Sequence, residues 1–266
     1  MALSGGIDVE AGGLRGKLYA SVRPEGAPGG PEHPARPAYV LLHGIGVSHR
    51  YLARLHLELA EGADVYSFDL PGFGPTSRPS RQLQVEDYAA FIAAVLSDAG
   101  VSGYIAVGHS MGTQFAAELA LQQPEQVAGI VLMGPVVDAG KKSVPRQAMA
   151  LTRDAMFSES LSCNVVVFSD YFRAGPRWYL TELSVMMEYP MAERLSAVTQ
   201  PALVLRGTKD PIARRPWCEH LAAVAPQGTV AEIPGQGHVF QYTAPGMAAE
   251  TITSWVRAVT GFGVTA

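Results

Sequence analysis

The pentapeptide Gly108-His109-Ser110-Met111-Gly112 constrains this chain more than any other feature. The apolar run Tyr104-Ile105-Ala106-Val107 precedes it, and Thr113 to Gln123 follows with Phe115, Ala116, Leu119 and Ala120 at the spacing of one helical face. Ser110 therefore stands at a strand-to-helix turn. The flanking glycines let strand and helix approach without a side-chain collision, and the cramped turn points the serine Oγ outward. The helix start leaves unpaired N–H groups and the positive end of a dipole beside it, which favours negative charge developing on a bound carbonyl oxygen.

Two later segments repeat the arrangement with other chemistry. Val204-Leu205-Arg206-Gly207-Thr208-Lys209-Asp210-Pro211 is an apolar strand ending in a loop with an aspartate, and Val230-Ala231-Glu232-Ile233-Pro234-Gly235-Gln236-Gly237-His238 ends with a histidine. Strand ends thus deliver Ser, Asp and His in that chain order. On these residues the chain resembles the α/β-hydrolase superfamily. Leu41-Leu42-His43-Gly44 is similar to its oxyanion-loop motif, and Phe68-Asp69-Leu70-Pro71-Gly72-Phe73-Gly74 to the strand-end turn that follows. The resemblance covers nearly the whole chain.

It implies an α/β fold with a mostly parallel central sheet flanked by helices. The expected core is 1–135 with 198–266, interrupted by a helical cap at 136–197. The local pattern agrees. Ile7 to Glu10 and Leu14 to Val22 read as a hairpin across Gly12-Gly13, and Pro24 to Pro37, rich in proline and glycine, as an exposed loop. From Tyr39 strands and helices alternate: a strand to Leu42, a helix near Tyr51 to Gly62, a strand at Val65 to Phe68, a helix from Val85 to Ala99, and a strand at Ala128 to Met133. The alternation lapses from Val136 to Ala197, a segment rich in methionine and aromatic residues. Most of these should pack the cap itself, while some line a pocket, with Phe157, Phe172 and Trp178 as candidates.

The roles follow from the chemistry. Ser110 is the expected nucleophile, weak unless a base takes its proton during attack. His238 is the expected base, because imidazole exchanges a proton near neutrality. Asp210 would hold the other ring nitrogen, fixing the tautomer and stabilising the imidazolium. The oxyanion hole is expected from the backbone amides of Met111 and Ile45. His109 occupies a variable elbow position and is a candidate pocket residue. His43 reads as structural, and Asp69 as part of the Asp-Xaa-Pro-Gly turn and not as the triad acid. Asp138 is a second, weaker candidate for that acid.

Composition bounds the alternatives. A length of 266 residues with 48% hydrophobic content suits one large α/β domain with a modest insertion. A net charge of -4 and a pI near 6.0 carry no basic excess for nucleic acid. No basic-then-apolar leader occurs in Met1 to Gly13 and no run of 18 apolar residues anywhere, so a soluble cytoplasmic protein without membrane partners is expected. Cys163 and Cys218 read as apolar fillers. His56-Leu57-Glu58 lacks the partners of a zinc site, and neither metal nor organic cofactor is implied. The expectation is a carboxylic-ester hydrolase acting through an acyl-enzyme on a small, largely apolar ester or lactone. A carbon-carbon bond hydrolase of the same fold is the alternative, as is a non-hydrolytic cyclase or receptor that reuses the pocket. Substrate identity and oligomeric state are not legible.

Overall fold

The computed structural model describes residues 3–22, 38–137, 166, 167, 169, 170 and 175–260. Strands β1 (Ile7–Ala11), β2 (Leu14–Ser21), β3 (Ala38–Leu42), β4 (Val65–Asp69), β5 (Tyr104–His109), β6 (Val127–Met133), β7 (Ala202–Gly207) and β8 (Gly228–Ile233) form one sheet in the order β1-β2-β4-β3-β5-β6-β7-β8. From β4 to β8 all neighbours are parallel, and the β1–β2 hairpin adds an antiparallel edge. That edge is blunted by charge: Asp8 faces Lys17 and Glu10 faces Arg15, each as an ion pair.

The helices are α1 (His49–Ala60), α2 (Val85–Asp98), α3 (Gly112–Gln122), α4 (Pro176–Glu188), α5 (Met191–Ser196), α6 (Arg215–Val224), α7 (Phe240–Thr243) and α8 (Pro245–Thr260). They cover both faces of the sheet, so the central strands are near-continuous apolar runs whose alternate residues enter two different cores. Val40, Leu42, Ala106, Ile130, Leu132, Ala202 and Val204 join the core under α2 to α6. Leu41, Ile105, Val107, Val131, Met133, Leu203 and Leu205 join the core under α1 and α8.

The strands and helices named in the sequence are present, with boundaries shifted by at most two residues. Helix α1 begins at His49 and not at Tyr51, because Asp69 Oδ1, at the end of β4, accepts the His49 N–H at 2.6 Å. The cap requires a partner distant in sequence. Helix α2 opens with a local capping box, Gln84 N–H donating to Asp87 at 2.8 Å, which is why its start was legible. The expected loop Pro24 to Pro37 lies outside the described residues.

Between β6 and β7 the described part of the expected cap is helical. Helix α4 joins the core on the α2–α3 side through Trp178, Leu183, Met186 and Met187, and α5 packs against α3 and α6 through Met191 and Leu195. Earlier in the same span, buried Asp170 accepts the Ser48 hydroxyl at 2.6 Å and pairs with Arg50, tying the insertion to the start of α1. Among the described residues no helix is long and apolar enough to cross a membrane.

Candidate active site

Ser110 links β5 to α3 with φ at 56°, a conformation that L side chains rarely adopt. Such strain costs about 1–3 kcal/mol and persists only where the surroundings over-determine it. Here they do. The Ser110 N–H donates to the Met133 carbonyl on β6 at 2.9 Å, and the Ser110 carbonyl accepts the Thr113 N–H at 3.0 Å and the Thr113 hydroxyl at 2.6 Å. Glycine is obligatory on both sides, since a Cβ at 108 would collide with the Gly112 carbonyl and one at 112 with the Leu42 carbonyl.

The loop after β3 reaches the elbow just as closely. A Cβ at Gly44 would stand 3.0 Å from Ser110 Cβ, so only glycine lets the His43–Ile45 loop run beside the serine. His43, fully buried, donates from Nδ1 to the Gly44 carbonyl at 2.8 Å and accepts the Leu70 N–H on Nε2 at 3.2 Å. Burial holds its pKa below the usual value, against a smaller opposing pull from the Gly44 carbonyl and Asp69. It is therefore a neutral clasp between two loops. Ile45 follows Gly44 in this loop, and Met111 follows Ser110 as the residue that opens α3.

Asp210 and His238 form a buried pair at the ends of β7 and β8. Asp210 Oδ2 lies 2.8 Å from His238 Nδ1, while Oδ1 accepts the amides of Ile212 and Ala213 at 2.8 and 2.9 Å. With its carboxylate facing Nδ1, the imidazole carries its proton there and presents Nε2 as an acceptor. Burial alone would raise the Asp210 pKa, but the His238 charge and the three hydrogen bonds outweigh it and hold the carboxyl below its ordinary value. Gly134, at φ 56°, lies against the pair: a Cβ there would come within 2.8 Å of the His238 ring and 3.4 Å of Asp210.

Two supports have partners that the sequence does not show. Arg206, buried at the end of β7, donates to the carbonyls of Ala213 at 2.8 Å and of Thr208 and Asp210 at 3.4 Å, and pairs with Glu232 on β8. Its guanidinium fork gathers the loop that carries Asp210. A lone arginine in an apolar strand was the available signal. His109 has no exposure, and its Nε2 donates to the His238 carbonyl at 2.9 Å while its ring lies 4.7 Å from the His238 ring. Burial, then the nearby His238, pushes its pKa down to about 3, so the ring stays neutral.

Other residues fall where their chemistry fits. Asp69 is fully buried and accepts the His49 amide, the His49 ring and the Tyr19 hydroxyl, which makes it a structural hub remote from the His238 pair. His56 bridges Ser67 and Ser21 at 2.8 and 2.9 Å. Trp178 packs its indole onto Gly72, where a Cβ would stand 2.5 Å from the ring. Phe157, Phe172 and Asp138 lie outside the described residues.

A strained serine after β5 and a buried Asp–His pair after β7 and β8 all sit at the carboxyl ends of parallel strands, the place where open α/β sheets bind ligands. The sequence profile of the Alpha/beta hydrolase family matches residues 39–251, and the chain belongs to that family. Over 82% of this chain and 89% of the relative, it is 24% identical to the (E)-2-((N-methylformamido)methylene)succinate hydrolase of Acinetobacter baylyi. A shorter match, 34% identical, is to the dihydrolipoyllysine-residue acetyltransferase component of the acetoin cleaving system of Cupriavidus necator, of which this chain covers 26%. Among solved structures, a thermophilic esterase from Thermogutta terrifontis superposes with a TM-score of 0.76 at 18% identity, covering 96% of this chain and 99% of the other. An N-acyl homoserine lactone degrading enzyme gives a TM-score of 0.75 at 18% identity, covering 94% and 100%.

Proposed function

We propose that this hydrolase cleaves an ester or lactone bond of a small, largely apolar substrate through an acyl-enzyme. Ser110 Oγ attacks the carbonyl carbon while His238 Nε2 takes its proton. The tetrahedral oxyanion is held by the amides of Ile45 and Met111, and the imidazolium by Asp210. His238 then returns the proton to the leaving alkoxide, and water repeats the sequence on the acyl-enzyme. The 136–197 insertion would roof the pocket, with Trp178 among the side chains that choose the substrate.

The observation that carries this reading is the Asp210–His238 hydrogen bond, buried at the same sheet edge as a serine in a strained turn. An ordinary turn serine has no need of φ at 56°, and a loop histidine has no need of a buried carboxylate. A relative named as a hydrolase over most of both chains supports hydrolysis as the reaction type. The test is labelling with a fluorophosphonate, then a chain-length series of p-nitrophenyl esters. Labelling at Ser110 together with turnover of short or medium esters is the expected result. Labelling without turnover of any ester would favour carbon-carbon hydrolysis or a non-hydrolytic use of the site, and no labelling would remove Ser110 as the nucleophile.

A further inference from the structure

Glu182 is a buried acid that the proposed chemistry does not use. It lies on α4 with no solvent exposure; Oε2 is 3.0 Å from the Tyr88 hydroxyl, and Oε1 has no hydrogen-bond partner among the described residues. A charged carboxylate so placed is costly. The Tyr88 hydroxyl also lies 3.3 Å from the Pro71 carbonyl, and it has one proton for two acceptors. If Glu182 is ionised, that proton goes to the carboxylate and Pro71 loses its donor. If Glu182 is protonated, its own O–H donates to the Tyr88 oxygen and the Tyr88 proton goes to Pro71, so every proton in the row has an acceptor.

The row ends near the reacting serine. Pro71 follows Leu70, whose N–H donates to His43 Nε2, and His43 Nδ1 donates to the carbonyl of Gly44, which abuts Ser110. Trp178, one turn before Glu182 on α4, packs onto Gly72 of the same turn. Two side chains of one helix thus bear on the turn that clasps the oxyanion loop.

Taking the proposed function as its premise, we propose that Glu182 is a positioning residue: with Tyr88 it seats α4 on the Leu70–Phe73 turn, holds the oxyanion loop through His43, and does so only while it carries a proton. Burial, moderated by the Tyr88 hydrogen bond, pushes the Glu182 pKa up to about 7, so the seat loosens on the alkaline side of neutrality. The charged and titratable groups of the elements packed against it are few among the described residues. Helix α2 presents Tyr88, with Asp87 already paired to Arg81, and α3 presents Glu118, already paired to Arg194 on α5. The Leu70–Phe73 turn has none, and Gln114 of α3 is neutral, donating to the Met186 carbonyl at 2.8 Å.

The test compares wild type, Glu182→Gln and Tyr88→Phe at pH 6 and pH 8.5. Hydrogen exchange across 176–188, corrected for intrinsic rates, reports the seat; kcat and KM for p-nitrophenyl butyrate report the oxyanion loop. In wild type, α4 protection and kcat should both fall at least about threefold from pH 6 to pH 8.5 relative to Glu182→Gln, whose amide imitates the neutral acid, with KM changing less. Tyr88→Phe should have weak α4 protection at both pH values. Equal pH dependence in wild type and Glu182→Gln would overturn the proposal, and so would loss of α4 protection with no loss of kcat. Fluorophosphonate labelling separates the premise: an unlabelled Ser110 in wild type removes the positioning role whatever α4 does, whereas normal labelling with a pH-indifferent α4 removes the latch alone.

Discussion

His109 Nε2 lies 2.9 Å from the main-chain carbonyl of His238, so the residue before the strained serine holds the backbone of the histidine that pairs with Asp210. The contact joins β5 to the loop after β8, across two intervening strands. Replacing His109 with Phe keeps ring volume against Tyr51 and Phe240 but removes the donor. A small displacement of a catalytic group can cost about 10²-fold. The expected result is a fall in kcat of roughly 10- to 100-fold for p-nitrophenyl butyrate, with the urea midpoint nearly unchanged. A variant of wild-type activity would reduce the contact to packing.

The proposed triad acts as a unit. Ser110→Ala and His238→Ala should each lower kcat by at least about 10⁴-fold, and Asp210→Asn should be severe because it no longer fixes the Nδ1–H tautomer. Circular dichroism should be unchanged in all three. In wild type kcat/KM should fall on the acid side with one ionisation between about pH 5 and 7.5. Retention of more than a tenth of the activity by Ser110→Ala, or a flat profile to pH 4.5 with chemistry limiting, would contradict the mechanism.

Buried neutral histidines set the acid stability. Burial, then His49, pushes His56 down to about 4, and burial, then His238, pushes His109 down to about 3. An unfolded chain binds these protons near pH 6.5 and the folded protein resists them, so stability falls as pH drops from 6.5 towards 4 and 3. Glu182 acts with the opposite sign: folded it keeps its proton to about 7, so its contribution is full below about 4.5 and is lost as pH rises to 7. Urea midpoints measured from pH 7.5 to 4 in the Glu182→Gln background should therefore drop more steeply than in wild type. A flat curve in that background would be inconsistent with neutral buried histidines.

Arg206 should matter to both fold and site. Arg206→Met takes the buried partner from Glu232 and frees the carbonyls of Thr208, Asp210 and Ala213; because Glu232 is partly exposed and also faces Arg215 at 3.6 Å, the cost stays below the about 3–5 kcal/mol of a fully buried broken pair. A second change, Glu232→Leu, removes the carboxylate that has lost Arg206 and keeps the more distant Arg215 as its partner. Thermal melting should be lowered in the single variant and partly restored in the double, whereas kcat should stay low in both, because only Arg206 gathers the Asp210 loop. Recovery of kcat in the double variant would show that Arg206 serves stability alone.

Sequence reading found those features whose cause is local. The elbow is legible because glycine at 108 answers a collision with Gly112 four positions on, and α2 because Gln84 and Asp87 cap it within one turn, whereas glycine at 112 makes room for the distant Leu42 carbonyl. The alternation of strand and helix is legible because each strand carries its own apolar run. Helix α1 was misplaced by two residues because its first amide is held by Asp69, twenty positions away. Arg206 and His109 were named but their partners were not, since a carbonyl acceptor leaves no mark in the side-chain sequence.

By itself, then, the sequence determined the fold class, the order of Ser110, Asp210 and His238 along the chain, and the need for glycine around the serine, all of which follow from backbone sterics and hydrophobic period. Only the tertiary structure decided which carboxylates are buried and against what. Asp69, Asp210 and Glu182 are alike in the sequence as acidic residues, yet one is a hub for Tyr19 and His49, one faces an imidazole, and one, on α4, meets a single tyrosine hydroxyl. Desolvation and the choice of partner set the charge of Asp210 and Glu182, and both are properties of the packed chain, because they depend on which strand ends and helix faces the fold brings within about 3 Å of each oxygen.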